Sequence, residues 1–196
     1  MNIKKITLVV FSFFFLFNYA QSIEPDVFVQ STVNRASQIL SKNISKEEKI
    51  NQLKSIAKET VDIIGVGFYS LGAARKNLND NQKNKYIKLF EAYFLKSFSS
   101  RLAEYTNPEI DVFDKEKLNA NYTIVNSILK STKDRPEVKI DWRIYTKNPS
   151  NPLIRDLIIE GLSLARTQKE EFASIINSND GDIDALFKTL REFSSE

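Results

Sequence analysis

Any chemistry in this chain has to come from carboxylates, hydroxyls and lysines, because its 196 residues include no Cys and no His. That absence removes Ser-His and Cys-His nucleophile pairs, thiol redox chemistry and zinc sites. A Ser-Lys dyad stays open on composition, but no G-x-S-x-G elbow frames a nucleophile. Asp62 lies in the apolar run Val61–Ala74, where burial would raise its pKa toward acid–base work. A capping or hydrogen-bonded structural carboxylate is the other reading of the same residue. Asp156 and Glu160 bracket Leu157-Ile158-Ile159. On one strand face they would stand about 13 Å apart, too far to share one substrate bond. The turn around Gly181 resembles a calcium loop, but aligning that glycine at the sixth position puts Ile176 where an acid is needed. Gly65-Val66-Gly67 has no third glycine in register for a dinucleotide fingerprint. No cofactor and no catalytic set is expected.

The elements that would position these residues begin after a leader. Lys4 and Lys5 precede the almost wholly apolar run Ile6–Phe17. As a helix that run spans about 18 Å, short of the ~30 Å hydrocarbon core. A basic start, a short apolar stretch and the small residues of Ala20-Gln21-Ser22 make a secretory signal over residues 1–22, with cleavage after Ser22 or, alternatively, after Ala20. Removing Lys4 and Lys5 leaves 26 basic against 25 acidic residues, too balanced to argue for nucleic acid. With 42% apolar residues, 23–196 is long enough for one packed domain without disulfides.

Within that domain the period of the apolar residues changes twice. Pro25-Asp26 opens a helix through Val29, Val33, Ala36 and Leu40, and the capping box Ser45–Glu48 starts another. The Val61–Ala74 run carries Gly65, Gly67 and Gly72, which permit close backbone approach or, on a second reading, a segment that moves to admit a ligand. Asn79–Gln82 caps a long helix striped with Tyr86, Leu89, Phe90, Tyr93, Phe94, Phe98, Leu102 and Tyr105, ending at Asn107-Pro108. The period then falls to two in Ile110–Val112, Tyr122–Lys130, Val138–Tyr145 and Leu153–Glu160. Short polar links between these strands predict an antiparallel meander, and two helices follow. The expected fold is α+β, a twisted sheet of about four strands against several helices. An apolar pocket between the layers would be lined by Phe68, Leu71, Phe90, Phe94, Val125, Ile140, Trp142, Ile144, Leu157 and Ile159 and exceed about 300 Å³.

Several of these stretches resemble the MlaC family, the periplasmic phospholipid-binding, toluene-tolerance type auxiliary components of MCE-domain ABC transporters. The resemblance rests on Leu71-Gly72 with Gln82 ten residues beyond, Phe90 and Leu95, the strand Val138–Arg143, the stretch Asp156–Ser163, Phe172 and Asp180-Gly181. It covers roughly Asp26 to Arg191. This chain departs from the family where an aromatic commonly follows the Leu-Gly pair, in lacking Gly-x-Trp before Asp156, and in carrying Arg155 where Tyr is frequent. The resemblance implies a non-enzymatic periplasmic shuttle carrying a phospholipid between an outer-membrane lipoprotein complex and an inner-membrane MCE-domain ABC transporter. Carriage of another lipid such as a hopanoid, or a ligand-free adaptor role, are the competing implications. Two acyl chains hold about 30 methylenes, and exposing them to water would cost on the order of 20 kcal/mol. The leader makes a direct prediction: the exported protein begins at Ile23, and N-terminal sequencing that returned Met1 would contradict it.

Overall fold

The computed structural model describes residues 22–133 and 135–195, so the leader expected over residues 1–22 lies outside the described residues apart from Ser22. Helix α1 (Pro25–Ser41) starts with proline in its first turn, where the missing N–H is no loss. Helix α2 (Lys46–Thr60) is opened by Ser45 and Glu48, each satisfying the other's backbone N–H. Helix α3 (Ile63–Ser70) is short, and a 3-10 turn (Gly72–Asn77) follows it. The Asn79–Gln82 capping box then starts the 23-residue helix α4 (Asp80–Leu102). That helix stops five residues short of Asn107, which takes a left-handed φ of 46° before Pro108.

Four antiparallel strands form a meander in sequence order: β1 (Ile110–Asn119), β2 (Tyr122–Leu129), β3 (Val138–Tyr145) and β4 (Leu153–Ile159). A two-residue strand β5 (Leu162–Ser163), which sequence period does not reveal, extends the sheet to five. Glu160 and Gly161 join β4 to β5 with φ of 50° and 82°, the positive pair that a tight hairpin requires. Helices α5 (Leu164–Asn177) and α6 (Ile183–Ser195) complete the chain. No described helix is long and apolar enough to cross a membrane.

One face of the sheet meets the helices. Val125, Trp142 and Leu157 form a cross-strand row, flanked by Thr123–Ile144–Ile154 and Ser127–Ile140–Ile159. Ile154 and Leu157 are three residues apart, yet both belong to this face. A bulge allows it: Ile154 opposes Ile144, Asp156 opposes Arg143, and Arg155 is the extra residue. Trp142 is buried with its indole N–H donating to Ser127 Oγ at 2.8 Å, and Ser127 donates onward to the Ile140 carbonyl at 2.9 Å. At its start the free edge of β1 meets α1, while the rest of the strand is exposed. The Gln30 amide accepts from the Val112 N–H, and Lys115 pairs with Glu24 and Asp26.

The glycines of the 61–74 run have static reasons. Asp62 is the N-cap of α3, accepting from the Gly65 N–H at 2.8 Å, and a Cβ on Gly65 would overlap that carboxylate. A Cβ on Gly67 would come within 2.7 Å of the Phe90 ring, and the Gly67 carbonyl accepts the buried Tyr86 hydroxyl at 2.9 Å. Gly72 takes a left-handed φ of 54° where α3 ends. Gly65 thus leaves room for the cap, Gly67 for the Phe90 ring and Gly72 for a left-handed turn, and the Asp62 carboxylate caps α3.

These contacts set a sign reversal. Gly65→Ala and Asp62→Ala each remove the cap and should cost about 1–2 kcal/mol. In the Asp62→Ala background, Gly65→Ala should be neutral or stabilising by up to about 1 kcal/mol, since the carboxylate the new methyl would overlap is gone and alanine favours helix. Urea unfolding of the two single variants and the double variant measures it.

Candidate functional site

The residues that could act on a ligand gather between the second half of α4, the first half of α5 and the bulged strand β4. Phe90, Tyr93, Phe94, Ser97, Phe98 and Arg101 recur at helical spacing along one side of α4. Leu164, Ala165, Thr167, Gln168 and Glu171 do the same on α5. Trp142 of β3 and Ile154, Arg155, Asp156 and Leu157 of β4 form the floor, and Val61 and Val66 close one end. The cavity is about 210 Å³, smaller than the 300 Å³ expected from sequence. Its exposed lining residues, Arg101, Leu164 and Glu171, mark the mouth.

Aromatic packing holds the α4 wall. Phe90 is buried, stacked 5.7 Å from Tyr86 and 6.0 Å from Phe94, with Phe172 of α5 meeting it edge-on at 6.2 Å. Phe94 and Phe98 stack at 5.5 Å and are only partly buried, so the stripe passes from core to cavity along the helix. Tyr93 packs on Phe172 and donates its hydroxyl to Gln168 Oε1 at 2.9 Å, tying α4 to α5. Burial raises the Tyr93 pKa above its ordinary value, helped by the nearby Glu171 carboxylate.

Two polar junctions border the apolar interior. The bulge aims Arg155 at Asp62, to which its Nε donates at 2.7 Å. Its guanidinium also donates to the Tyr122 hydroxyl and lies 3.9 Å from the centre of the Tyr145 ring. Asp156 is 8% exposed and fully engaged, accepting from the Ser163 hydroxyl at 2.6 Å and the Ala165 N–H at 2.9 Å. A carboxylate at the first turn of α5 is also favoured by the helix dipole. Glu160, expected on the same strand face as Asp156, sits instead in the β4–β5 turn and accepts from the Lys139 N–H. Ser55–Lys58 and Ser127–Lys130 have S-x-x-K spacing, but Ser55 Oγ donates to the Asn51 carbonyl on exposed α2 and Ser127 serves Trp142. Among the described residues no group of three or more acidic, His or Cys side chains is placed to hold a metal.

Of the ten residues expected to line a pocket, Phe90, Phe94, Trp142 and Leu157 do line this cavity. Leu71, Val125, Ile140 and Ile144 are buried in the core cluster that also holds Val29 and Val33 of α1, outside the cavity lining. Phe68 packs partly buried on that core under the Arg75 guanidinium, 4.5 Å from its ring centre. Ile159 pairs with Ile140 and Leu162 at the end of β4, outside the cavity lining. Tyr93 and Phe98 belonged to the aromatic stripe and were legible from their spacing. The α5 residues and the bulge pair Ile154 and Arg155 carried no such signal.

An antiparallel sheet packed with helices beside an apolar cavity defines a small α+β fold. The chain belongs to the MlaC protein family, whose model matches residues 30–192. Its fold is similar to that of the phospholipid-binding protein from Ralstonia solanacearum, solved in complex with a phospholipid. The TM-score is 0.74 at 17% identity, covering 88% of this chain and 98% of that one. No curated protein sequence matches this chain.

The Asp156 junction yields a stability prediction. Asp156→Ala strands the Ala165 N–H and the Ser163 hydroxyl at a buried helix start, and should cost about 3 kcal/mol. Asp156→Asn keeps an acceptor and should cost about half as much, as read from urea unfolding midpoints.

Proposed function

We propose that this chain is an exported periplasmic carrier that binds a single phospholipid, with its acyl chains in the cavity between α4, α5 and β4. The observation that carries this reading is the apolar cavity itself, built by Phe90, Phe94, Phe98, Trp142, Ile154 and Leu157 in a chain of the MlaC family. Support comes from the Ralstonia protein of similar fold, which was solved with a phospholipid bound. The role is that of a shuttle between an outer-membrane lipoprotein complex and an inner-membrane MCE-domain ABC transporter. Such a role asks for no catalytic group.

Ligand pockets for drug-sized molecules run to about 300–1,000 Å³, so a cavity of 210 Å³ has to widen to take two acyl chains. The partly buried rings of Tyr93, Phe94 and Phe98 on α4 are the wall best placed to yield. The buried Tyr86 and Phe90 anchor the preceding turns. A pocket that only matches the bilayer in apolarity is sufficient: it offsets the cost of exposing acyl chains to water while still allowing release.

Native mass spectrometry of the mature protein tests the reading, with one added phospholipid mass as the expected result. Leu157→Trp puts an indole into the cavity floor and should cut the lipid-loaded fraction at least tenfold, roughly 1.4 kcal/mol, while the protein stays folded. Wild-type protein carrying no lipid after incubation with phospholipid vesicles would overturn the carrier. An added polycyclic-lipid mass in its place would overturn the assignment of phospholipid.

A further inference from the structure

Four charged side chains border the cavity, and two of them are already committed. Arg155 is held by Asp62 and Tyr122, and Asp156 by Ser163 and Ala165. Arg101 and Glu171 are different. Both are exposed at the mouth, and among the described residues the Arg101 side chain makes no hydrogen bond or ion pair. Glu171 accepts only from the Gln168 amide, at 2.9 Å, and makes no ion pair among the described residues.

The two charges nevertheless border one place. Arg101 projects from the last turn of α4, where helical side chains lean back toward the N-terminus, here toward Ser97 and the Tyr93 turn. Glu171 lies one turn beyond Gln168, the residue that accepts the Tyr93 hydroxyl. Both charges act electrostatically on that hydroxyl, the carboxylate raising its pKa and the guanidinium opposing it, beneath the larger effect of burial. A cation and an anion thus flank the mouth of an apolar cavity without neutralising each other.

That arrangement has a chemical complement. Resting on the phospholipid reading above, we infer that the cavity mouth selects a zwitterionic, amine-bearing phospholipid headgroup, with Arg101 taking the phosphate and Glu171 the ammonium. The guanidinium fork suits a phosphodiester, and the carboxylate accepts from an ammonium. A headgroup whose net charge is negative would keep the Arg101 contact but bring no cation to Glu171. Arg101 therefore supplies binding common to all phospholipids, and Glu171 supplies the discrimination.

The test loads mature protein from vesicles holding equal amounts of dioleoyl phosphatidylethanolamine and dioleoyl phosphatidylglycerol, and reads the bound ratio by native mass spectrometry. Wild type should favour the ethanolamine lipid about fivefold, the value of one good exposed ion pair. Glu171→Gln should bring the ratio close to one, and Glu171→Lys should turn it toward phosphatidylglycerol. Arg101→Gln should lower loading of both lipids. Both positions are exposed, so thermal melting of each variant should match wild type. Equal loading of the two lipids by wild type, or a ratio unmoved by Glu171→Lys, overturns the inference and leaves the carrier standing. Loading of neither lipid overturns the carrier itself. Soluble O-phosphoethanolamine serves as a competitor: failure to displace bound lipid supports a headgroup site, and ready displacement overturns it in favour of a small-molecule site.

Discussion

The packing of one ring, Phe90, sets the spacing on which the cavity depends. It is buried against Gly67 of α3, Tyr86 and Phe94 of its own helix, and Phe172 of α5. Burying such a side chain contributes roughly 1.5–3 kcal/mol, and the edge-on and offset ring contacts add to it. More important is the geometry it imposes. With no Cβ at Gly67, α3 approaches α4 closely at the level of Phe90, so the first half of α4 is clamped. Beyond Phe90 the helix is tied to α5 and α6 instead, through Tyr93 on Phe172, Gln168 and Phe193, and the aromatic stripe continues as Phe94 and Phe98 along the cavity. Closed core and cavity are two ends of one helix face.

The sheet makes the matching concession at β4. An unbulged strand would place Ile154 and Leu157 on opposite faces, and the cavity would lose half its floor. The extra residue costs an irregularity in the ladder, which Arg155 offsets by docking on Asp62, the cap of α3. Immediately after it, Asp156 receives the first turn of α5. One local irregularity thus joins the α2–α3 junction, the edge of the sheet and the start of α5. An ion pair this far from full burial adds modest stability, and its larger effect is to fix where three elements meet.

The cavity also combines a mostly apolar lining with a few polar side chains. Apolar rings and branched side chains provide the bulk of the contact area and read nothing but hydrocarbon. Among the polar lining residues, Ser97, Thr167 and Gln168 are half-buried among the rings, and Arg101 and Glu171 are exposed. On the proposed reading this division suits a carrier that has to release its cargo, since an exposed ion pair at a wet mouth adds little to total affinity.

Much of this was legible in the linear chain. Capping boxes at Ser45–Glu48 and Asn79–Gln82 announced α2 and α4, because a helix start must satisfy its free N–H groups locally. Period-two alternation in Val138–Tyr145, with short polar links on either side, announced the meander. The stripe from Tyr86 to Phe98 marked the helix that would supply the cavity wall, because spacing along a helix depends on nothing distant. Tertiary structure alone decided which parts of those faces stay open. Val125, Ile140 and Ile144 have the same pattern as Trp142 and share its core cluster with Val29 and Val33 of α1, yet of these strand residues Trp142 is the one that lines the cavity. The bulge at Arg155 exists because Asp62, 93 residues away, is there to receive it. Periodicity tells which side of a strand is apolar; what covers that side depends on how remote elements pack, and no local pattern contains that.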